Sequence, residues 1–145
     1  MEIKTENEKK KEYLSGYRDH VRRIRRIESE LAELLEMRSG SGLNNDGMPR
    51  SPSGKNDLSG YAAELDELER SLREERHERV LIYKDIALRI KHLQSENEKD
   101  VLFYRYIKGL DWWEIAEKMN YSERWVLKLH GKALAHIQLP EEKSS

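Results

Sequence analysis

Apolar side chains recur along the first 94 residues at spacings of three, four and seven, which place them on one face of a helix. The pattern predicts one helix over residues 13–37 and another over residues 58–93. A helix of about 35 residues would be about 50 Å long at ~1.5 Å per residue, too long to stand alone with an exposed apolar stripe. We therefore expect the helices to pair, either as an antiparallel coiled-coil hairpin or between the chains of a homodimer. The stripes consist of Tyr17, Val21, Ile24, Leu31, Leu34, Leu58, Tyr61, Leu65, Leu68, Leu72, Ile82, Ile86 and Leu93.

The two predicted helices are separated by residues 39–57, which hold four Ser, four Gly, three Asn and two Pro. Such a composition neither continues a helix nor buries enough apolar surface to order itself. We expect this segment to be a flexible loop. The first predicted domain is therefore a helical hairpin over residues 1–94 with the loop inside it.

Residues 95–140 carry the start and stop signals of three short helices. Ser95 with Glu98, and Asp111 with Glu114, have the spacing of a capping box, in which two side chains cap the first turn of a helix. Because the helices follow each other closely, this segment is predicted to be a helix-turn-helix domain. The remaining signals are Gly109 and Asn120 as left-handed helix ends, Ser122 as the cap of the last helix, and Pro140 beyond its end.

The last predicted helix has one apolar face and one charged face. The apolar face is expected to pack on the two helices before it, with Trp112 at least partly buried and Trp113 turned outward. The expected core residues are Val101, Leu102, Ile115, Ala116, Met119, Val126, Leu129, Ala133 and Ile137.

The charged face of that helix indicates a contact with DNA. Arg124 has the paired donors that read guanine, while Glu123 either accepts from a cytosine amino group or orients Arg124. Trp125 either packs on a thymine methyl or a sugar, or belongs to a protein interface. Two lysines are expected to bind phosphates. The predicted DNA-binding residues are Ser122, Glu123, Arg124, Trp125, Lys128 and Lys132.

The stretch VLFYRYIKGLDWWEIAEKMNYSERWVLKLHGKAL resembles the promoter-reading C-terminal domain, region 4, of bacterial sigma factors. More closely, it looks like a phage and prophage family of small sigma-like regulators related to the RinA and ArpU transcriptional activators. The matching landmarks are Val101-Leu102, Arg105-Tyr106, Gly109, Glu114-Ile115-Ala116, Ser122, Val126 and Ala133-Leu134, in register and without a gap.

This resemblance covers roughly a quarter of the chain. It implies binding of double-stranded DNA by the start of the last helix, regulation of transcription at phage late promoters, and contact with RNA polymerase. Sigma factors usually carry polar residues where Trp125 and Leu127 stand, so their base-reading code does not transfer to this chain. Nothing in the chain resembles the part of a sigma factor that melts promoters.

Composition narrows the classes of function. The formal net charge is −1, so any affinity for DNA must come from local groups of basic residues. The chain has no cysteine, which excludes disulfides and thiolate sites, and no apolar stretch approaches the ~20 residues of a membrane span. We expect a cytoplasmic protein of a bacterial host cell, without a membrane contact.

The sequence carries no motif of an enzyme: it has no glycine-rich phosphate loop, no H-E-x-x-H and no nucleophile elbow. His130 and His136 stand six residues apart, about 240° around a helix, so they cannot share a metal from one face. We expect both histidines on the surface. The chain is accordingly predicted not to be an enzyme and to use neither cofactor nor metal.

Two other functions remain open from the sequence. Phage small terminase subunits also join a helix-turn-helix to a helical oligomerisation region, so DNA packaging is one alternative. The long hairpin is the other, as a helical interaction protein that does not bind DNA.

Overall fold

The computed structural model describes the backbone of residues 4–44 and 54–140, and the side chains of residues 4–38 and 59–140. Regular structure in these ranges is helical throughout, which confirms the predicted all-α class. None of the described helices combines the length and the apolar composition required to span a bilayer. The α-helices are α1 (Glu6–Asn44), α2 (Gly54–Lys91), α3 (Glu96–Leu102), α4 (Trp112–Met119) and α5 (Glu123–His136), with a π-helical turn (Phe103–Ile107) directly after α3.

The chain forms two compact units. Among the described residues, the first unit contains residues 4–19 and 79–140, and the second unit contains residues 20–44 and 54–78. This division differs from the predicted domain boundary between residues 94 and 95. The reason is that the first turns of α1 and the last turns of α2 pack in one unit with the C-terminal helices.

In the second unit, α1 and α2 lie side by side in antiparallel directions. Arg23 Nε is 3.2 Å from Glu75 Oε1, and the Arg38 guanidinium lies 5.3 Å from the centre of the Tyr61 ring. Later residues of α1 therefore meet earlier residues of α2, as in the predicted hairpin. The buried apolar residues of this unit include Val21, Ile24 and Leu72.

Both long helices extend into the predicted loop 39–57. Because α1 continues to Asn44 and α2 begins at Gly54, residues 39–44 and 54–57 are helical instead of irregular. A glycine inside a helix costs only roughly 1 kcal/mol relative to alanine, so a helix that has already formed can continue through Gly and Ser. Residues 45–53, the rest of the predicted loop, lie outside the described residues.

In the first unit, α3, α4 and α5 enclose an apolar core. Val101, Ile115 and Val126 contribute one fully buried side chain from each of these helices. Leu14 of α1 and Ile86 of α2 are fully buried in the same unit. The predicted core is confirmed: Val101, Leu102, Ile115, Ala116, Val126, Leu129, Ala133 and Ile137 are buried, and Met119 is partly buried against them.

Three side chains of the long helices bind backbone carbonyls near the C-terminal helices. Lys10 Nζ donates to Leu134 O in the last turn of α5 at 2.7 Å, and only 8% of Lys10 is exposed. Arg89 donates to Gln138 O at 2.9 Å just beyond that helix. A positive charge at a helix C-terminus meets unpaired carbonyls and the negative end of the helix dipole. Lys10 therefore caps α5 from another helix. The third contact joins Arg18 to Ile107 O at 3.4 Å.

Candidate nucleic-acid interface

A three-residue turn, residues 120–122, joins α4 to α5. Asn120 ends α4 in the left-handed conformation with φ of 62°, as its position in the sequence predicted. Ser122 begins α5, and its Oγ accepts from the Trp125 N–H at 3.1 Å. A capping box begins α4, in which the Asp111 N–H donates to Glu114 at 3.0 Å. Both boundaries of α4 and the start of α5 are therefore determined by local signals in the sequence.

The core beneath these helices fixes which side of α5 is exposed. Val126 is fully buried, and Leu129 and Ala133 follow it on the same face. At about 100° of rotation per residue, Arg124 and Lys128 project from the opposite side. The predicted DNA-binding residues are all exposed: Ser122, Glu123, Arg124, Trp125, Lys128 and Lys132.

These six residues do not all have the same environment. Ser122 uses its hydroxyl oxygen as the helix cap, so its first task is structural. Glu123 lies in the first turn of α5, where a negative charge is favourable. Arg124 and Lys128 stand one turn apart on the exposed side. Together they form a short basic strip along the N-terminal half of the helix.

Trp125 takes part in a row of side chains that crosses from α5 to α3. The Lys132 ammonium lies 5.1 Å from the centre of the indole ring, within cation–π distance. On the other side, the Tyr121 ring meets Trp125 edge to face, with ring centres 6.4 Å apart. Asn97 Nδ2 of α3 donates to the Tyr121 hydroxyl at 3.1 Å. We call Asn97, Tyr121, Trp125 and Lys132 the aromatic row.

Sequence reasoning included only two members of the aromatic row, Trp125 and Lys132, among the site residues. The four-residue spacing between Tyr121 and Trp125 was a local signal that could have added Tyr121. No local signal identifies Asn97, because it lies 24 residues from Tyr121 in the sequence.

The α3 segment differs from the single regular helix expected between Ser95 and Gly109. Ser95 caps it as predicted, with its Oγ accepting from Glu98 N at 3.3 Å. The helix then widens into the π-helical turn over Phe103–Ile107. Gly109 ends it with φ of 71°, and a Cβ at this glycine would lie 2.6 Å from Arg18 Nε. Glycine is thus favoured here by its conformation, whereas the Cβ contact could be relieved by movement of the flexible Arg18 side chain.

A buried polar cluster lies behind α4 and α5, and it corrects the expectation that His130 is on the surface. His130 is 6% exposed, and its Nε2 is 2.7 Å from the Tyr106 hydroxyl. The Trp112 ring lies 4.7 Å away, in an edge contact. Around the helix axis, His130 lies between the buried residues Val126 and Leu134, about 40° from each. The expectation was wrong because it compared His130 only with His136, which is exposed.

Burial determines the protonation of this cluster. Burial lowers the pKa of His130 to about 4, and the positive charges of Lys11 and Arg105 act in the same direction. Burial raises the pKa of Tyr106 to about 12, against the opposing effect of Arg105. Both groups are therefore neutral at pH 7. In the tautomer of neutral His130 that carries its proton on Nδ1, the Tyr106 hydroxyl donates to Nε2.

The neighbouring tryptophans lie as the sequence predicted. Trp112 is half-buried, and the Arg105 guanidinium covers its ring at 4.2 Å from the centre. Trp113 is 52% exposed. The half-buried ring helps to fix the start of α4, while the exposed ring adds apolar surface beside it.

The chain has no significant match among protein-family models, curated proteins or solved structures. The similarity to sigma-factor region 4 therefore rests on the sequence landmarks alone. Among the side chains that the structure describes, no group of three or more His, Cys, Asp or Glu residues is arranged to hold a metal ion.

Proposed function

We propose that α4, the turn and α5 act as a helix-turn-helix, and that the protein is a DNA-binding transcription regulator. The observation that carries this proposal is the arrangement of two capped helices joined by a three-residue turn. In this arrangement one face of α5 is buried and its basic face is exposed. The resemblance to small sigma-like phage regulators adds the setting. In this proposal the protein is phage-encoded, acts at phage late promoters and contacts RNA polymerase.

The dimensions of α5 suit a DNA groove. The major groove of B-DNA is about 12 Å wide and accepts one α-helix. Because α4 braces the buried side of α5, the N-terminal half of α5 can enter the groove without changing its packing. Arg124 would then read guanine through two hydrogen bonds, and Glu123 would accept from cytosine or hold Arg124 in place.

Charge sets the expected strength of binding. With a net charge of −1, the chain gains no general attraction to DNA, so the lysines of α5 must supply it. Each phosphate contact contributes about −0.9 to the slope of log affinity against log salt concentration. Contacts from Lys128 and Lys132 therefore predict a slope near −2 from α5, and modest affinity for one chain.

The proposal is tested by selecting preferred duplexes from a random DNA pool and measuring affinity by fluorescence anisotropy. Arg124→Ala should weaken binding by ~1–3 kcal/mol, and the loss should concentrate at one base pair. Lys128→Ala should weaken all sequences similarly and flatten the salt dependence. Arg73→Ala, which changes an exposed arginine of α2, is the matched control and should leave binding unchanged. The absence of any preferred sequence, with equal affinities for all three variants, would reject the assignment.

The transcriptional part of the proposal needs a separate measurement. Purified protein is added to bacterial RNA polymerase on templates that carry the selected sequence upstream of a promoter. Regulation predicts a change in transcript yield that Arg124→Ala abolishes. Specific binding without any effect on the polymerase would favour the packaging alternative, and an absence of specific binding would favour the helical interaction protein.

A further inference from the structure

The aromatic row gives Lys132 an environment that Lys128 does not have. Lys132 lies over the Trp125 ring, and that ring is held in turn by Tyr121. Among the described side chains, Lys128 has no aromatic ring within cation–π distance. Two lysines of one helix face, four residues apart, therefore differ in how firmly their ammonium groups are positioned.

The row is fixed at its far end by a hydrogen bond. Asn97 Nδ2 donates to the Tyr121 hydroxyl, which ties the turn between α4 and α5 to α3. Tyr121 is 39% exposed and Trp125 is 37% exposed, so neither ring belongs to the buried core. More than half of the surface of each residue is nevertheless buried, so packing holds both rings in place, and the Trp125 ring lies beside Lys132.

We propose that Tyr121 and Trp125, anchored by Asn97, are positioning residues that hold the Lys132 ammonium ready to bind a DNA phosphate. The proposal rests on the DNA-binding function proposed above. A lysine side chain loses conformational freedom when it binds a phosphate, and a lysine already resting on a ring loses less of it on binding. The ring also leaves the charge intact, because a cation–π contact does not neutralise the ammonium group.

A double-mutant cycle tests this coupling in the full-length protein, with the selected DNA duplex as the probe. Trp125→Leu is combined with Lys132→Met, and separately with Lys128→Met as the matched control. Affinity is measured by anisotropy over a series of salt concentrations. Thermal unfolding by circular dichroism checks that each variant is folded.

We expect Trp125→Leu to weaken binding more in the wild type than in the Lys132→Met variant. The loss of affinity should be about two- to fivefold larger in the wild type, which is the free energy of an exposed cation–π contact expressed as a ratio of affinities at room temperature. In the Lys128→Met variant the effect of Trp125→Leu should be as large as in the wild type. Lys132→Met should also reduce the salt slope by about 0.9, as expected for one lost phosphate contact.

The anchor is tested by Tyr121→Phe, which removes the hydroxyl that Asn97 binds and keeps the ring. It should weaken binding in the wild type and leave binding of the Lys132→Met variant unchanged. If Tyr121 had only a structural role, Tyr121→Phe would lower the thermal stability and would weaken DNA binding equally in the wild type and in the Lys132→Met variant.

The possible outcomes separate this proposal from the function on which it rests. Equal effects of Trp125→Leu in the wild type and in the Lys132→Met variant, with Arg124→Ala still weakening binding, would overturn the positioning role alone. Equal coupling of Trp125 to Lys128 and to Lys132 would also overturn it. Failure of the wild type to bind any selected duplex would reject both proposals.

Discussion

The buried His130 makes the stability of the first unit depend on pH. Its pKa is about 4 in the folded protein, and an unfolded histidine has a pKa of about 6.5. Between these values the unfolded chain binds a proton that the folded protein does not bind. The free energy of unfolding therefore falls as the pH drops below about 6.5, and the loss is complete near pH 4.

The size of the effect follows from the two pKa values. Each pKa unit corresponds to about 1.36 kcal/mol, so a difference from 6.5 to about 4 gives a full loss of about 3 kcal/mol. At pH 5 about 2 kcal/mol of this should already be lost relative to pH 7.5. Tyr106 stays protonated throughout, because its pKa is about 12, and it contributes nothing to the change.

The assay is urea unfolding at pH 7.5, 6.5, 5.5 and 5, followed by circular dichroism and tryptophan fluorescence. His130→Gln removes the titrating group, so its free energy of unfolding should fall less with pH than that of the wild type. His92→Gln changes an exposed histidine of the same unit and is the control, which should keep most of the wild-type pH dependence. Parallel pH profiles for the wild type and His130→Gln would refute the burial argument, as would a His130 pKa near 6.5 measured by NMR.

Three further substitutions test the local structure of the first unit, each by urea unfolding at pH 7.5. Gly109→Ala should destabilise by about 1–3 kcal/mol, because alanine rarely adopts a φ of 71°; an unchanged midpoint would show that the turn adapts. Ser122→Ala should lower the free energy of unfolding by ~1 kcal/mol, because the Trp125 N–H loses its cap. Ser122→Asp should keep the wild-type stability, because aspartate also caps a helix. Ile115→Ala should cost about 2–5 kcal/mol by opening a cavity, while the exposed Leu127→Ala stays within about 0.5 kcal/mol of wild type; similar losses for both would contradict the assigned core.

The boundaries of α4 and the start of α5 were predictable because their causes are local. A Ser122 hydroxyl caps a backbone N–H three residues away, and Asn120 adopts its left-handed conformation without distant help. The apolar face of α5 is similarly encoded in a spacing of three and four residues. These features depend on neighbours in the sequence, so a single sequence is enough to predict them.

The features that were missed depend on contacts between distant residues. Lys10 is buried although its neighbours in the sequence are charged, because it meets a carbonyl 124 residues away. Asn97 has no pattern that points to Tyr121. The lengths of the two long helices were underestimated at the ends that face the predicted loop. Glycine and serine there were taken to end the helices, but a helix that has already formed can continue through them at low cost.

The contact between Lys10 and the last turn of α5 limits how this protein can be divided or recombined. A fragment that begins at residue 95 would leave the Leu134 carbonyl without its lysine and remove the fully buried Leu14 and Ile86 from the same unit. A chimaera that transfers the proposed reading helix to another protein would therefore have to carry residues 4–19 and 79–94 as well. The smallest unit that could be transferred combines two separate segments of the chain. A chimaera with a single junction would therefore be partly unfolded.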